Sequence, residues 1–376
     1  MRASASLLIT VAFLTVAAAA GRSTTTTRPT FRWLHMVDTS RGYGVSGEDP
    51  ERARLIATSD GGSHWRDVTP GRGSIHPSGS VTVIGWTLLF STTVRQRVFA
   101  VERSDDGGRT WRRSLPFRDA HGLGAGQPFA VDSRHLYLAV DEGAAAGSQG
   151  QALYTSSDGG VRWRFVSRTT WNYPPRGSLP FGCDKSGFGF ATTSRGWAGG
   201  YCAGGLPFFY RTDDGGRTWH RQQLPVPSEC ACDTSAPLFF TPSTAAVYVL
   251  GFTTNGSGMP FARLLWTDDA GVHWRGSGPP LGRAQQVSFA DARSAWITGQ
   301  RRGNLRAPFD LLVRTDDAGK HWQTSKLPFD AGNYNLDALS STVAYGFPVA
   351  DSSSRILVTR DGGRTWRAIH AEMTAR

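Results

Sequence analysis

An eight-residue pattern, Ser/Thr-x-Asp-Gly/Ala-Gly-x-x-Trp, recurs seven times in the 376 residues and constrains the fold more than any other feature. Its aspartates are Asp60, Asp106, Asp158, Asp214, Asp269, Asp317 and Asp361; its closing tryptophans are Trp65, Trp111, Trp163, Trp219, Trp274, Trp322 and Trp366. The aspartates are spaced by 46, 52, 56, 55, 48 and 44 residues. A fixed short motif at a period of about 50 residues signals radial or stacked repeats. The motif has the chemistry of a turn. The Asp carboxylate can accept from backbone N–H groups just ahead of it, and the second glycine permits positive φ at no steric cost. The tryptophan then begins the next strand and buries its ring, on the order of 150–250 Å².

A second mark keeps the same register. An aromatic stands in a Gly- or β-rich stretch upstream of each box: Tyr43, Trp86, Tyr137, Trp197, Tyr248, Trp296 and Tyr345. Each repeat therefore reads as four strands, near 187–193, 196–202, 208–212 and 218–224 in the fourth copy. In the sixth copy they fall near 286–290, 295–299, 310–315 and 321–325. Glycine at 45 residues and charged residues at only 19% argue against a helical bundle or coiled coil. The expectation is an all-β chain, a seven-bladed β-propeller of four-stranded antiparallel blades.

Arg2, the apolar run 7–16 and Ala17–Gly21 read as a secretory signal over 1–20, too short for a comfortable membrane span. Residues 21–30 read as a flexible linker, 31–370 as the propeller and 371–376 as a tail. The formal charge is +11, and 38 of the 41 basic residues are arginine. That balance suits an anionic partner or reflects arginine-rich usage. No phosphate loop and no Cys/His zinc spacing is present, so no cofactor, metal or nucleic acid is expected. His64, His273 and His321 stand at the seventh box position, where other copies carry Thr110, Thr218 and Thr365, and read as turn-surface residues.

The box resembles the Asp-box, or bacterial neuraminidase repeat. The longer unit at 196–219 resembles the photosystem II stability and assembly factor type of propeller, and the likeness covers essentially all of 31–370. The box is shared by sialidases, xyloglucanases, sortilin-like receptors and assembly factors, so the resemblance implies a fold and no single activity. A sialidase-like site would need an arginine cluster, an acid/base and a Tyr–Glu pair. No Arg-Ile-Pro element occurs, and glutamate is confined to Glu48, Glu51, Glu102, Glu142, Glu229 and Glu372. Outside the boxes Asp119, Asp141, Asp184, Asp291, Asp330 and Asp337 remain as candidate carboxylates, and no spacing singles out a pair.

In such a blade the boxes lie on one face, and the connections between blades lie on the other. Cys183, Cys202, Cys230 and Cys232 all fall on that second face, which also carries the long segments 168–184, 142–150, 253–260 and 300–308. The even cysteine count in a secreted chain suggests disulfides. A Cys230–Cys232 bond would close a three-residue loop. The expected pairs are therefore Cys183–Cys230 with Cys202–Cys232, or the crossed version. Variable loops on a rigid scaffold are where binding is usually placed. Trp171, Tyr173 and Arg176 on one loop, with Arg301, Arg302 and Arg306 on another, make a candidate aromatic and cationic surface. The alternative is solvated arginine and a tryptophan packed on its own loop. The expectation is a secreted, monomeric, non-catalytic scaffold that binds a protein or glycan; a diverged glycoside hydrolase is the alternative.

Overall fold

The computed structural model describes residues 26–47, 49, 53–71, 81–170, 177–227, 229–254, 258–303, 306–348 and 354–374. Among these every regular element is a strand; no helix forms, and none is present that could cross a membrane. The signal expected at 1–20, and Trp171, Tyr173 and Arg176, lie outside the described residues.

Each box-bearing segment folds as an antiparallel meander. In the sixth repeat the strands Ala284–Phe289, Ala295–Gly299, Leu311–Thr315 and Gln323–Lys326 pair in that order. The middle two are buried at every position, while Gln323–Lys326 at the outer edge is mostly exposed. Strands covered on both faces carry continuous apolar runs, and these do. The strands join into six hydrogen-bonded sheets of six, five, five, nine, four and four strands. In the nine-stranded sheet Cys230–Thr234 pairs with both Gly196–Cys202 and Ala245–Thr253, fusing the fourth and fifth meanders.

The core lies between meanders. Among the described residues seven apolar clusters each draw on two of them, such as Trp197 and Phe209 of the fourth with Val247 and Trp274 of the fifth. One cluster joins the two ends of the chain: Phe31, Met36 and Trp65 pack with Tyr345, Phe347 and Ile356. Asp337 reinforces that junction, accepting from the backbone N–H of Met36 at 2.7 Å. Within the segment read as a tail, Glu372–Thr374 runs parallel to His64–Asp67 and also pairs with Thr26–Thr27.

The boxes are turns, and all seven share a Ser/Thr hydroxyl that bridges the Asp carboxylate and the second-glycine N–H, with the N–H of position seven on the same carboxylate. In the fourth, Thr212 Oγ1 donates to Asp214 Oδ1 at 2.8 Å and accepts from Gly216 N–H at 2.9 Å. Asp214 Oδ1 also accepts from Arg217 N–H at 3.0 Å and Thr218 N–H at 2.9 Å. Position seven completes the turn by binding the second carboxylate oxygen. Thr218 Oγ1 does so at 2.7 Å, and His64, His273 and His321 do it through Nδ1 at 2.6 Å. Threonine or histidine stands there in six boxes because either supplies a short donor at that reach; the third has Arg162, whose guanidinium lies 3.6 Å from Asp158. These bonds hold every box carboxyl below its usual range, Asp317 at about 2, against the upward push of its partial burial.

Three expectations are corrected. Segment 142–150 is not a loop: Leu136–Ala145 and Ser148–Ser156 continue as one long hairpin around Ala146–Gly147. Trp86 is not in a strand; it sits in the turn before Thr87–Arg95, half exposed, with the Arg41 guanidinium 4.4 Å from its ring centroid. The disulfides are Cys183–Cys202 and Cys230–Cys232, neither of which was expected. Asp184 pairs with Tyr201, so Cys183 faces Cys202 across the ladder with Cα atoms 4.8 Å apart. Cys230 and Cys232 lie in a strand, not a loop. Side chains two apart in a strand share a face, and here their Cα atoms are 5.3 Å apart, within disulfide reach.

Candidate functional site

The register shows where the ends of the strands far from the boxes gather. Gly196 pairs with box residue Thr212, so Tyr201 and Cys202 stand at the opposite end of that strand. Ala245 pairs with Thr267, which puts Phe252 and Pro260 at the opposite end as well. Ala295 pairs with Thr315, and Ala284 is again remote from its box. These ends of the fourth, fifth and sixth repeats surround a cleft of about 230 Å³.

Its walls are aromatic. Tyr201 is 41% exposed, and Phe252 and Phe261 are half-buried beside it. Two polar groups stand in this apolar setting. Asp233, paired with Tyr201 across the ladder, accepts from the Ser186 hydroxyl. Burial, with the Asp233 charge adding to it, pushes the Tyr248 phenol up to about 12. Arg283 is exposed at the rim, its guanidinium 5.7 Å from the Phe252 ring centroid and 5.8 Å from that of Phe309. Both disulfides brace this wall: Cys202 follows Tyr201, and Cys230 and Cys232 flank Ala231, itself a lining residue.

Of the residues expected at a binding surface, Arg301 and Arg302 adjoin this cleft. Gly282 N–H donates to Gln300 O and Gln300 N–H to Arg283 O, both at 2.8 Å, while Arg302 Nε donates to Leu281 O at 3.1 Å. Arg301, Arg302 and Arg306 are exposed. Tyr201, Asp233, Phe252, Phe261 and Arg283 were not singled out in the sequence. Only Tyr201, beside a cysteine at the end of a glycine-rich strand, carried a signal there.

The leftover carboxylates were the other candidates, and most serve the scaffold. Asp291 accepts from the N–H groups of Arg293 and Ser294, and Asp330 from those of Phe309 and Gly332. Asp337 joins the first and last repeats through His35 and Met36. Asp119 and Glu142 do form a cluster. Asp119 accepts from Tyr154 Oη at 2.7 Å and His121 N–H at 2.8 Å, and Arg168 lies 3.4 Å from Asp119 and 3.0 Å from Glu142. Burial, with Asp119 and Asp141 nearby, pushes the Glu142 carboxyl up to about 7 despite Arg168. The same burial raises Asp119, but its hydrogen bonds and Arg168 outweigh it and hold that carboxyl low. Their side chains are 0% and 9% exposed, and Tyr154 packs on Phe117 with ring centroids 4.7 Å apart. A two-carboxyl glycosidase needs its pair facing a substrate cleft; this pair is wedged between the second and third repeats.

No curated protein matches the chain. Among solved structures it is similar to a polysaccharide lyase, an ulvan lyase bound to -[GlcA(1-4)Rha3S]-, at 12% identity over 91% of this chain and 95% of that one, with a TM-score of 0.48. The β-propeller domain of the Trilobed protease from Pyrococcus furiosus is similar at 10% identity over 92% and 97%, with a TM-score of 0.48. Trypanosoma rangeli sialidase is similar at 15% identity over 73% and 51%, with a TM-score of 0.38. Residues 210–221 match the BNR/Asp-box repeat. That segment spans the fourth box, 212–219, which is thereby identified as a BNR/Asp-box repeat.

Proposed function

We propose that the chain is an exported ring of seven four-stranded blades that binds a glycan at the cleft around Tyr201, without chemistry. Seven inter-repeat clusters, one of them joining the last repeat to the first, support the ring. In this reading the nine-stranded sheet is two blades linked by Cys230–Thr234. Two disulfides fit an oxidising compartment outside the cytoplasm. Export with cleavage after Ala20 gives a mature chain beginning at Gly21, which N-terminal sequencing of the secreted protein checks.

The observation that carries the binding reading is the cleft itself. Rigid aromatic faces beside one carboxylate and one guanidinium match the two sides of a sugar ring, its C–H face and its hydroxyls. Its size favours one or two sugar units over a protein, which needs roughly 800 Å² of surface on each partner. The mature protein should bind an oligosaccharide in calorimetry, and Tyr201→Ala should weaken that binding about tenfold or more with little change in Tm. Binding unaffected by Tyr201→Ala would sink the assignment of this cleft.

A further inference from the structure

We infer that the cleft selects an acidic saccharide, one bearing a carboxylate or sulfate, with Arg283 as the anion-binding residue; this rests on the reading of the cleft as a glycan site. The Arg283 guanidinium lies 5.7 Å from the Phe252 ring centroid and 5.8 Å from that of Phe309, two aromatic contacts for an otherwise exposed side chain. A guanidinium exposed at the rim can present two parallel N–H donors, the geometry that a carboxylate or sulfate accepts.

The charges around the cleft are separated. Asp233 lies on the wall formed by the fourth and fifth repeats, beside Tyr201. Arg283 lies on the side of the sixth, its carbonyl accepting from Gln300 N–H, while Arg302 binds the Leu281 carbonyl nearby. An anionic group beside Asp233 would be repelled, whereas sugar hydroxyls there would donate to its carboxylate. The ligand is therefore oriented, hydroxyls toward Asp233 and the anionic group toward Arg283. A neutral sugar leaves Arg283 without an anion to pair, and a simple anion leaves the aromatic wall unused.

The test is titration calorimetry of the full mature chain at low and high salt with tetragalacturonate, a sulfated galactan tetrasaccharide and neutral maltotetraose. At least one acidic ligand should bind about tenfold or more tightly than maltotetraose, and the carboxylate and sulfate arms tell which anion is used. Because the chain carries a net charge of +11, diffuse attraction to polyanions must be separated from the site. Arg283→Gln should remove the preference for the acidic ligand, Arg283→Lys should retain part of it, and Arg360→Gln in the last box should leave it intact. Equal binding of maltotetraose, or a preference that survives Arg283→Gln, overturns the inference while Tyr201-dependent binding still stands. Failure of all three ligands to bind overturns the glycan reading together with it.

Discussion

Replacing Gly271 with alanine should lower the stability of the chain by about 2–5 kcal/mol. Gly271 stands at the second position of the Ala-Gly pair of the fifth box, at φ 76°, where an L-residue is strained by about 1–2 kcal/mol. A Cβ there would also stand 2.3 Å from Cζ2 of Trp197, which is fully buried between the fourth and fifth repeats. Overpacking a closed core costs about 1–3 kcal/mol more. The neighbouring box position behaves differently: Ala270 and Ala318 occupy it at φ 56° and 60°. Alanine is thus found at the first position of the pair but not at the second, where glycine stands in all seven boxes. Gly204→Ala, with nothing within 4 Å of its Cβ, is the control and should change stability by less than about 0.5 kcal/mol. Urea unfolding of the three proteins measures this, and equal midpoints would show that the box turn relaxes freely against its neighbour.

The second large effect is on pH dependence, through Glu142. Its carboxyl keeps its proton in the folded chain up to about pH 7, against an ordinary value of 4.5. Between those two values the folded chain binds more protons than the unfolded one, so this group makes stability fall as pH rises. Below about pH 4.5 both states are protonated and its contribution is flat; above about pH 7 both are ionised and the loss is complete. The loss amounts to about 2–3 kcal/mol. Glu142→Gln removes it. The stability difference between variant and parent should therefore move in the variant's favour by about that amount from pH 5 to pH 8. Urea unfolding at the two pH values reads it directly. The box aspartates act at the other end: their depressed carboxyls give stability that is present above about pH 4 and lost on acidification. A difference between variant and parent that does not change with pH would mean that Glu142 is ionised throughout, paired with Arg168.

The box was legible in the sequence because its bonding is local. Every partner of Asp214 lies within four residues, so the spacing already contains the geometry. The strands at 196–202 and 208–212 followed from that anchor. Features that depend on pairing between distant strands were not legible. The hairpin around Ala146–Gly147 has the glycine and alanine content of a loop, yet its backbone groups continue the ladder to Ala145 and Ser148. The disulfides follow from register: Cys183 finds Cys202 because Asp184 pairs with Tyr201, and a one-residue slip would turn it to the other face. The cleft is harder still to read from sequence, since Tyr201 and Arg283 come from repeats that are two apart in the chain. Turn chemistry places residues within a repeat; the packing of one repeat on the next decides which residues share a surface.

The pairing of Glu372–Thr374 with His64–Asp67 sets an order of events during synthesis. The outer strand of the first repeat waits for residues made more than three hundred positions later. Intermediate meanders can form as they emerge, but the first and last can be joined only when the last repeat, from Asp337 onward, is available. A chain that emerges from its N-terminus therefore keeps the outer edge of His64–Asp67 unpaired until Glu372–Thr374 arrive. Glu372–Thr374 acts as a latch, adding backbone pairing to a junction that the packing of Phe31, Met36 and Trp65 on Tyr345 and Ile356 already holds.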